Sequence, residues 1–408
     1  MRAPRRGALL ATLGVLAVTS STTVLLSEVP LASLALRVAG IALWLAAAAR
    51  SGTDDPRRAT WSTGLFLAMS LYLVVGNLFH GRWTVGALTL AGALLVGAAT
   101  SAWLRRLDPA VALLAVRRAL TATVTLSLAL GVVTPDTALE RDRLRGWYEN
   151  ANTLGFAALA LGTVVVLRPG RPVPTALALG SSVAALTWSA SRTSALAFAL
   201  VVAVGLVARR SATSLLLTVG AVAAIAGLLA QGAPDVLDGL LRDTDSRSGT
   251  TDLALHVLDR WPVTGLGTGI GTSLGIHVSS PLVALIHAGV PGLLSFAAMA
   301  AALASAARGR SWRSWTLVAA LLLHSTAESW LLSPTSPLLL TAVCLVHGVT
   351  GTDVRHRDAA PPAPPTSTAL PTRYRHPQES PCPRTSSSSP RTSRRPRPAA
   401  VPSAASTA

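Results

Sequence analysis

Arginine, histidine and asparagine side chains able to act on an anionic substrate occur in three separate segments. Their candidate site residues are Arg143, Arg145 and Asn152 in the first segment, Arg192 in the second, and Arg247 and His277 in the third. A guanidinium group is permanently charged and makes paired hydrogen bonds to phosphate oxygens, and an imidazole with a near-neutral pKa suits general-base catalysis. The residue types therefore indicate chemistry on an anionic ligand, provided that the fold brings the segments together.

Apolar stretches dominate the chain that must position these residues. The sequence has 408 residues, of which 50% are hydrophobic and 13% charged. Stretches of about 20 apolar residues, each long enough to cross a hydrocarbon core as a helix, recur along it. The pattern predicts an all-α polytopic membrane bundle of about 12 transmembrane helices. The predicted spans are 7–26, 30–49, 61–79, 83–104, 109–132, 152–168, 172–190, 193–208, 212–230, 279–306, 313–331 and 335–350.

Arginine placement predicts the orientation of this bundle. The formal charge of +17 comes from arginine alone, because the sequence contains no lysine. Most arginines lie at alternate span ends or in the tail, so membrane topology explains the basic balance and nucleic-acid binding is not indicated. With the first apolar run retained as a signal-anchor, both termini are expected in the cytoplasm and the protein in the cytoplasmic membrane.

The loop 133–151 and the turn at Arg192 place arginines on the opposite, outer side, against this bias. The long polar loop at about 231–278 is predicted on the same side, and its glycines from Gly265 to Gly271 suggest a turn or hinge. Long loops between hydrophobic helices are usually functional. The transmembrane domain is predicted to span residues 1–350. The Pro-, Ser- and Arg-rich tail, 351–408, is predicted to be disordered and cytoplasmic.

The order and spacing of four motifs resemble the O-antigen ligase / O-antigen polymerase family. These motifs are RLRGWYENANTLG at 143–155, TWSASRT at 187–193, SGTTDL at 248–253 and WPVTGLGTG at 261–269. The resemblance covers roughly residues 135–300. It implies a multi-spanning enzyme that moves a glycan from an undecaprenyl-diphosphate-type carrier to a glycan or lipid acceptor at the outer face of the cytoplasmic membrane, in polysaccharide biosynthesis of the cell envelope.

Three positions depart from the family pattern. Thr250 stands where the family's loop arginine is usual, with Arg247 three residues earlier. Val278 stands where histidine is expected, with His277 one residue before it, and His287 stands where glutamate is common. Either the loop is shifted and Arg247 and His277 serve, or the protein is a catalytically degenerate relative.

The resemblance implies roles for the candidate residues. The arginines would hold the diphosphate, and His277 would take the proton of the acceptor hydroxyl. Such a glycosyltransferase or ligase needs no metal and no cofactor. The predicted catalytic residues are His277, Arg192 and Arg247, and the predicted substrate-binding residues are Arg145, Arg143, Asn152 and Glu328. Glu328 belongs to this set because ionisable groups at membrane depth are functional candidates, and it is predicted to share a helix face with His324.

Structural interpretations of the same residues remain open. Arg192 can snorkel at a helix end, Arg247 and His277 can be solvated loop residues, and Asn152 can cap a helix. Glu328 can form a structural pair with His324. A transporter or flippase for an envelope precursor is the alternative function, and it would show ionisable or helix-breaking residues in several spans.

Overall fold

Helices account for most of the described chain. The computed structural model describes residues 3–51, 54–209, 248–268 and 279–358. They lie within one compact unit, Met1–Ala360. The helices are α1 (Ala3–Ser20), α2 (Val24–Ser27), α3 (Pro30–Ala49), α4 (Thr60–Leu78), α5 (Trp83–Arg106), α6 (Pro109–Val133), α7 (Pro135–Ala138), α8 (Ala151–Leu167), α9 (Pro172–Ser189), α10 (Arg192–Arg209), α11 (Ser248–Arg260), α12 (Ser280–Ala307), α13 (Trp312–Ser325) and α14 (Pro337–Asp358). The other elements of the described ranges are two 3₁₀ turns, Pro56–Ala59 and Ser329–Leu332, and the strands β1 (Leu139–Glu140) and β2 (Arg143–Leu144).

Local sequence signals explain where several helices begin. Prolines start α3, α6 and α9, where the missing N–H has no helical partner to lose. The Asp108 carboxylate caps α6 by accepting from the Ala110 N–H at 2.9 Å. The Asn150 side chain caps α8 by accepting from the Thr153 N–H at 2.9 Å. The cap of α8 is therefore Asn150, and the interpretation of Asn152 as the helix cap is wrong.

Helix α8 forms the centre of the bundle. Nearly all of its residues are buried, and it packs against α6, α9, α10 and α14. A second group consists of α1, α3, α4, α5 and α12. Small residues allow close approach within it: a Cβ on Gly40 would lie 2.8 Å from the Gly14 carbonyl oxygen, so α1 and α3 pack backbone to backbone.

The outer helices expose large apolar side chains, as expected for lipid-facing surfaces. Leu31 on α3, Leu95 on α5 and Leu177 on α9 are 80%, 72% and 68% exposed. Among the described residues, five helical segments are long and apolar enough to cross a membrane by length and composition, namely Pro30–Ala49, Pro56–Leu78, Trp83–Arg106, Pro109–Val133 and Ser280–Ala307. The all-α membrane architecture is thus supported. The number of crossings, twelve, stays a prediction, and span 212–230 lies outside the described residues.

Span 313–331 is not a continuous helix, and the prediction that His324 and Glu328 share a helix face is wrong. Helix α13 ends at Ser325, and Glu328 is extended just before the 3₁₀ turn. The indole N–H of Trp330 donates to His324 Nδ1 at 3.0 Å, so the chain folds back across the end of α13. His324 and Glu328 consequently have different neighbours.

Two other boundaries differ from the prediction. The long loop contains a helix, α11, because Thr250, Ala254 and Val257 recur at helical spacing and are buried, with relative exposures of 5% or less. Helix α14 continues to Asp358, beyond the predicted start of the tail at 351. Asp353 explains part of this extension, since its carboxylate pairs with Arg168 and accepts from the Ser314 hydroxyl at 2.7 Å. The rest of the tail lies outside the described residues.

Candidate functional site

A β-hairpin with a two-residue turn organises one end of the bundle. We call this end the hairpin end. Strands β1 and β2 pair antiparallel, with Glu140 opposite Arg143. Arg141 and Asp142 form the turn with φ values of 51° and 65°, as the tight hairpin turns require. Leu144 is fully buried. Since neighbouring strand residues point to opposite faces, the Leu144 anchor fixes the direction of the Arg143 side chain.

Arg143 joins the hairpin to two helices. Its Nε donates to the Ser189 carbonyl oxygen at 2.9 Å, at the end of α9. One terminal nitrogen donates to Asn152 Oδ1 at 2.6 Å, in the first turn of α8. Arg143 therefore lies where the hairpin, α8 and α9 meet.

Asn152 extends this contact to the far end of the sequence. Its Nδ2 donates to Glu328 Oε1 at 2.9 Å. The Ser280 hydroxyl donates to the Glu328 carbonyl oxygen at 2.6 Å, which attaches the same residue to the start of α12. The structure thus brings three of the predicted substrate-binding residues, Arg143, Asn152 and Glu328, into one hydrogen-bonded chain.

Arg192 begins α10 immediately beside this chain. It follows Ser189, the acceptor of Arg143, by three residues. Ala190, with φ of 46°, makes the sharp turn between them. Half-buried Arg192 also lines an elongated cavity of about 630 Å³ between α9 and α10, whose other lining side chains, such as Leu186 and Val202, are mostly apolar. An arginine thus lies at the hairpin end of an apolar cavity.

A buried polar cluster lies directly below the same turn. The Ser191 and Ser194 hydroxyls are 2.8 Å apart, and Ser194 Oγ lies 3.0 Å from His324 Nε2. Trp330 can only donate, so His324 Nδ1 is its acceptor and His324 Nε2 carries the proton donated to Ser194. His324 is fully buried with both ring nitrogens bonded, which fits a structural role.

The α1–α2 connection closes the hairpin end on another side. Thr23 forms a β-bridge with Tyr148, and the Glu149 N–H donates to the Thr22 carbonyl at 2.7 Å. The Tyr148 hydroxyl donates to Thr123 Oγ1 at 2.9 Å. Burial raises the pKa of Tyr148 to about 12, so this hydroxyl keeps its proton and its bond at physiological pH.

The remaining predicted residues divide into two groups. Arg145 stands apart from the Arg143–Asn152–Glu328 chain, and its guanidinium donates to the Thr137 carbonyl at 3.1 and 3.2 Å at the surface. Arg247 and His277 lie outside the described residues. Gly265 and Gly267 adopt positive φ values of 62° and 89°, which confirms the turn expected for that part of the glycine run.

Three polar residues inside the spans are absent from the predicted site residues, although His287 is one of the departures from the family pattern. Tyr72 on α4 bonds to His287 on α12, with the hydroxyl 2.6 Å from Nδ1. Arg37 on α3 donates to the Ser21 hydroxyl at 3.2 Å, which ties α3 to the end of α1. Their polar groups at membrane depth are the same signal that makes Glu328 a candidate.

Comparison with known proteins adds no family to these observations. No protein-family model matches the sequence, and no curated protein matches it either. Within the described ranges, no three His, Cys, Asp or Glu side chains form a group able to hold a metal ion. The functional conclusion therefore depends on the residues and their geometry.

Proposed function

We propose that the protein transfers or polymerises a glycan from an undecaprenyl-diphosphate-type lipid carrier onto an acceptor at the outer face of the cytoplasmic membrane. The observation that carries the proposal is the convergence of Arg143 and Arg192 on the α9–α10 turn, at the end of an apolar cavity. An amphiphile with an anionic head and a long apolar tail fits both features. Arginine suits the diphosphate, and the apolar walls suit the polyprenyl chain.

At the anomeric carbon, the proposed reaction forms one bond and breaks one. The acceptor hydroxyl oxygen attacks the anomeric carbon, the bond from that carbon to the diphosphate oxygen breaks, and the diphosphate leaves with the electron pair. The acceptor's proton passes to a base, a role that we assign to His277. Arg192, Arg247 and Arg143 stabilise the departing diphosphate's charge. Glu328 positions Asn152 and, through it, Arg143.

The proposed function also requires an orientation of the bundle in the membrane. We place the hairpin end outside because the opposite end carries most of the short arginine-rich connections. Those connections contain Arg50, Arg57 and Arg58, Arg105 and Arg106, Arg168 and Arg171, and Arg308 and Arg310. Arginine clusters are retained on the cytoplasmic side during insertion.

One observation favours the alternative, a transporter or flippase of an envelope precursor. Helix α12 is interrupted at Ala288 and Gly289, whose φ and ψ angles are not helical. Interrupted spans with polar groups nearby are typical of substrate sites in transporters. The two proposals differ in where the lipid-linked precursor accumulates when the protein is missing.

A deletion strain with an envelope-glycan profile tests both. Loss of a surface polymer, with its lipid-linked precursor exposed to an external glycosidase in spheroplasts, supports the transferase. A precursor protected from that glycosidase supports the transporter. The strain is then complemented at matched membrane abundance with wild type, Arg192→Gln, Glu328→Gln, Arg247→Ala or His277→Ala. Arg82→Ala is the control, an exposed arginine on the α4–α5 turn outside the Arg143–Asn152–Glu328 chain.

We expect Arg82→Ala to restore the polymer and the other variants to fail. Full restoration by Arg192→Gln and His277→Ala would overturn the site assignment. A deletion that leaves every envelope glycan unchanged would support a catalytically degenerate relative, as the Thr250 and Val278 departures allow.

A further inference from the structure

A second cavity lies between α4, α5, α12 and the 3₁₀ turn that precedes α14. It encloses about 500 Å³, and its walls include Tyr72, Leu88, Thr268, His287 and Ser333. The described residues that line it contribute apolar side chains, hydroxyl groups and the His287 imidazole, and none of them is an arginine, aspartate or glutamate. The Arg143–Asn152–Glu328 chain does not line it.

His287, one of the lining residues, has one hydrogen-bonding atom without a partner among the described residues. The residue is 8% exposed, and its Nε2 is buried without a hydrogen-bond partner among the described residues. Its Nδ1 is hydrogen-bonded to the Tyr72 hydroxyl, with 2.6 Å between the two atoms. Tyr72 is 3% exposed, and we assign its hydroxyl as the donor in this bond because the buried hydroxyl proton then has an acceptor. With this assignment Nδ1 accepts and Nε2 carries the hydrogen. A buried N–H without an acceptor is costly, which points to a ligand oxygen at this position.

The backbone around His287 is held rigidly by a crossing segment (residues 261–268). The Leu266 and Gly267 N–H groups donate to the Ile286 and His287 carbonyls at 2.7 and 2.9 Å. The Val290 N–H donates to the Pro262 carbonyl at 2.7 Å. The interruption of α12 is therefore satisfied by the crossing segment, and the imidazole is fixed before any ligand arrives.

The cavity opens towards the lipid-facing side of α5. Leu88 is 70% exposed. Gly92, one turn further along α5, would place an added Cβ more than 4 Å from any other heavy atom that could obstruct it. A molecule that diffuses in the membrane can therefore enter sideways between α5 and the 3₁₀ turn.

We propose that this cavity binds a membrane amphiphile through an uncharged oxygen, with His287 Nε2 as the donor to that oxygen and the apolar walls against its alkyl part. The oxygen is uncharged because no cationic side chain among the described lining residues would balance an anion, and burying an unpaired charge is prohibitive. A sugar hydroxyl and an ester carbonyl share this chemistry. The site is separate from the proposed glycan transfer, so either can be correct without the other.

Photolabelling of the full-length protein in lipid nanodiscs tests the proposal. One probe is an alkyl β-glucoside with a diazirine and an alkyne in its chain. The other is a phosphatidylglycerol with the same groups in one acyl chain. We expect one or both to label peptides from α5 and α12. Labelling by the glucoside alone identifies a hydroxyl ligand, and labelling by the phospholipid alone identifies an ester ligand. If both probes leave α5 and α12 unlabelled, the proposal is wrong.

Three variants localise the labelling. Gly92→Leu fills the opening without a steric conflict, and His287→Phe removes the donor. Each is expected to weaken labelling about fivefold. For His287→Phe this is the loss expected for one neutral hydrogen bond, and for Gly92→Leu it is a similar loss of apolar contact with the ligand. Gly180→Leu on α9 is the matched control, because it too meets no atom within 4 Å and lies outside the cavity. If Gly92→Leu is labelled as strongly as Gly180→Leu, the cavity is not the site.

Discussion

Asn152 occupies a position that an amide fills better than any other side chain. Its oxygen accepts from Arg143, and its nitrogen donates to Glu328. Arginine can only donate and an ionised carboxylate can only accept, so the two partners determine the amide orientation. The three residues come from different elements and connect the hairpin, α8 and the 3₁₀ turn. This chain therefore contributes to stability as well as to the proposed donor site.

Arg143→Ala and Arg145→Ala should consequently differ, although the residues are neighbours. Arg143→Ala leaves Asn152 and the Ser189 carbonyl without their donor, and we expect a loss of about 1–3 kcal/mol in the free energy of unfolding. Arg145→Ala removes surface bonds to Thr137, and we expect a change within about 0.5 kcal/mol. Thermal unfolding in detergent measures both. Equal destabilisation by the two variants would contradict the role given to the Arg143 contacts.

Local signals were sufficient to predict many of the elements. The predicted spans 30–49 and 172–190 correspond closely to Pro30–Ala49 and Pro172–Ser189, because a proline starts each helix and an apolar run continues it. The interruption of α12 was not predicted. It depends on main-chain donors from the crossing segment, about 20 residues earlier in the chain. Glu328 was a candidate from its depth alone, and its contact with Asn152 required the fold.

A substitution of Gly289, at the interruption of α12, tests whether the crossing segment depends on its close approach to this helix. Gly289 has φ of 63° and ψ of −153°, a region that is essentially restricted to glycine. An added Cβ would also lie 2.4 Å from the Pro262 carbonyl oxygen. We expect Gly289→Ala to cost about 1–3 kcal/mol from backbone strain, with a further loss from displacing the crossing segment.

The matched control is Gly309→Ala in the α12–α13 turn. Gly309 also has a positive φ, 68°, but an added Cβ would meet nothing within 4 Å. It should therefore show backbone strain alone. Limited proteolysis and thermal unfolding compare the two variants. If Gly289→Ala is no more sensitive to protease near residues 261–268 than Gly309→Ala, the crossing segment does not depend on that close approach.

At the scale of the whole molecule, the two ends of the bundle have different chemistry. The hairpin end contains the Arg143–Asn152–Glu328 chain and Arg192. At the opposite end, acidic residues pair with the concentrated arginines, as in Arg105 with Asp54 at 3.2 Å. This asymmetry supports the orientation proposed above, with the candidate site outside.

Cysteine accessibility tests this orientation. Cys344 and Cys382 are first replaced by alanine, and a single cysteine is then introduced as Asp136→Cys at the hairpin end or Arg308→Cys at the opposite end. Both positions are exposed. A membrane-impermeant maleimide should label Asp136→Cys in spheroplasts and Arg308→Cys after lysis alone. The reverse pattern would show that the bundle is inverted and that the proposed site faces the cytoplasm.

The crossing segment is attached to α12 through peptide groups, and this has a consequence for how the protein can diverge. Main-chain N–H and carbonyl groups are common to every residue except for the missing N–H of proline. The side chains of Val263 and Thr264 can therefore change without releasing the segment, while Gly265 and Gly289 are constrained by their close approach. Distant homologues that keep this device would share little more than spaced glycines across it. Shared ancestry would then be visible in their backbones long after it had faded from their sequences.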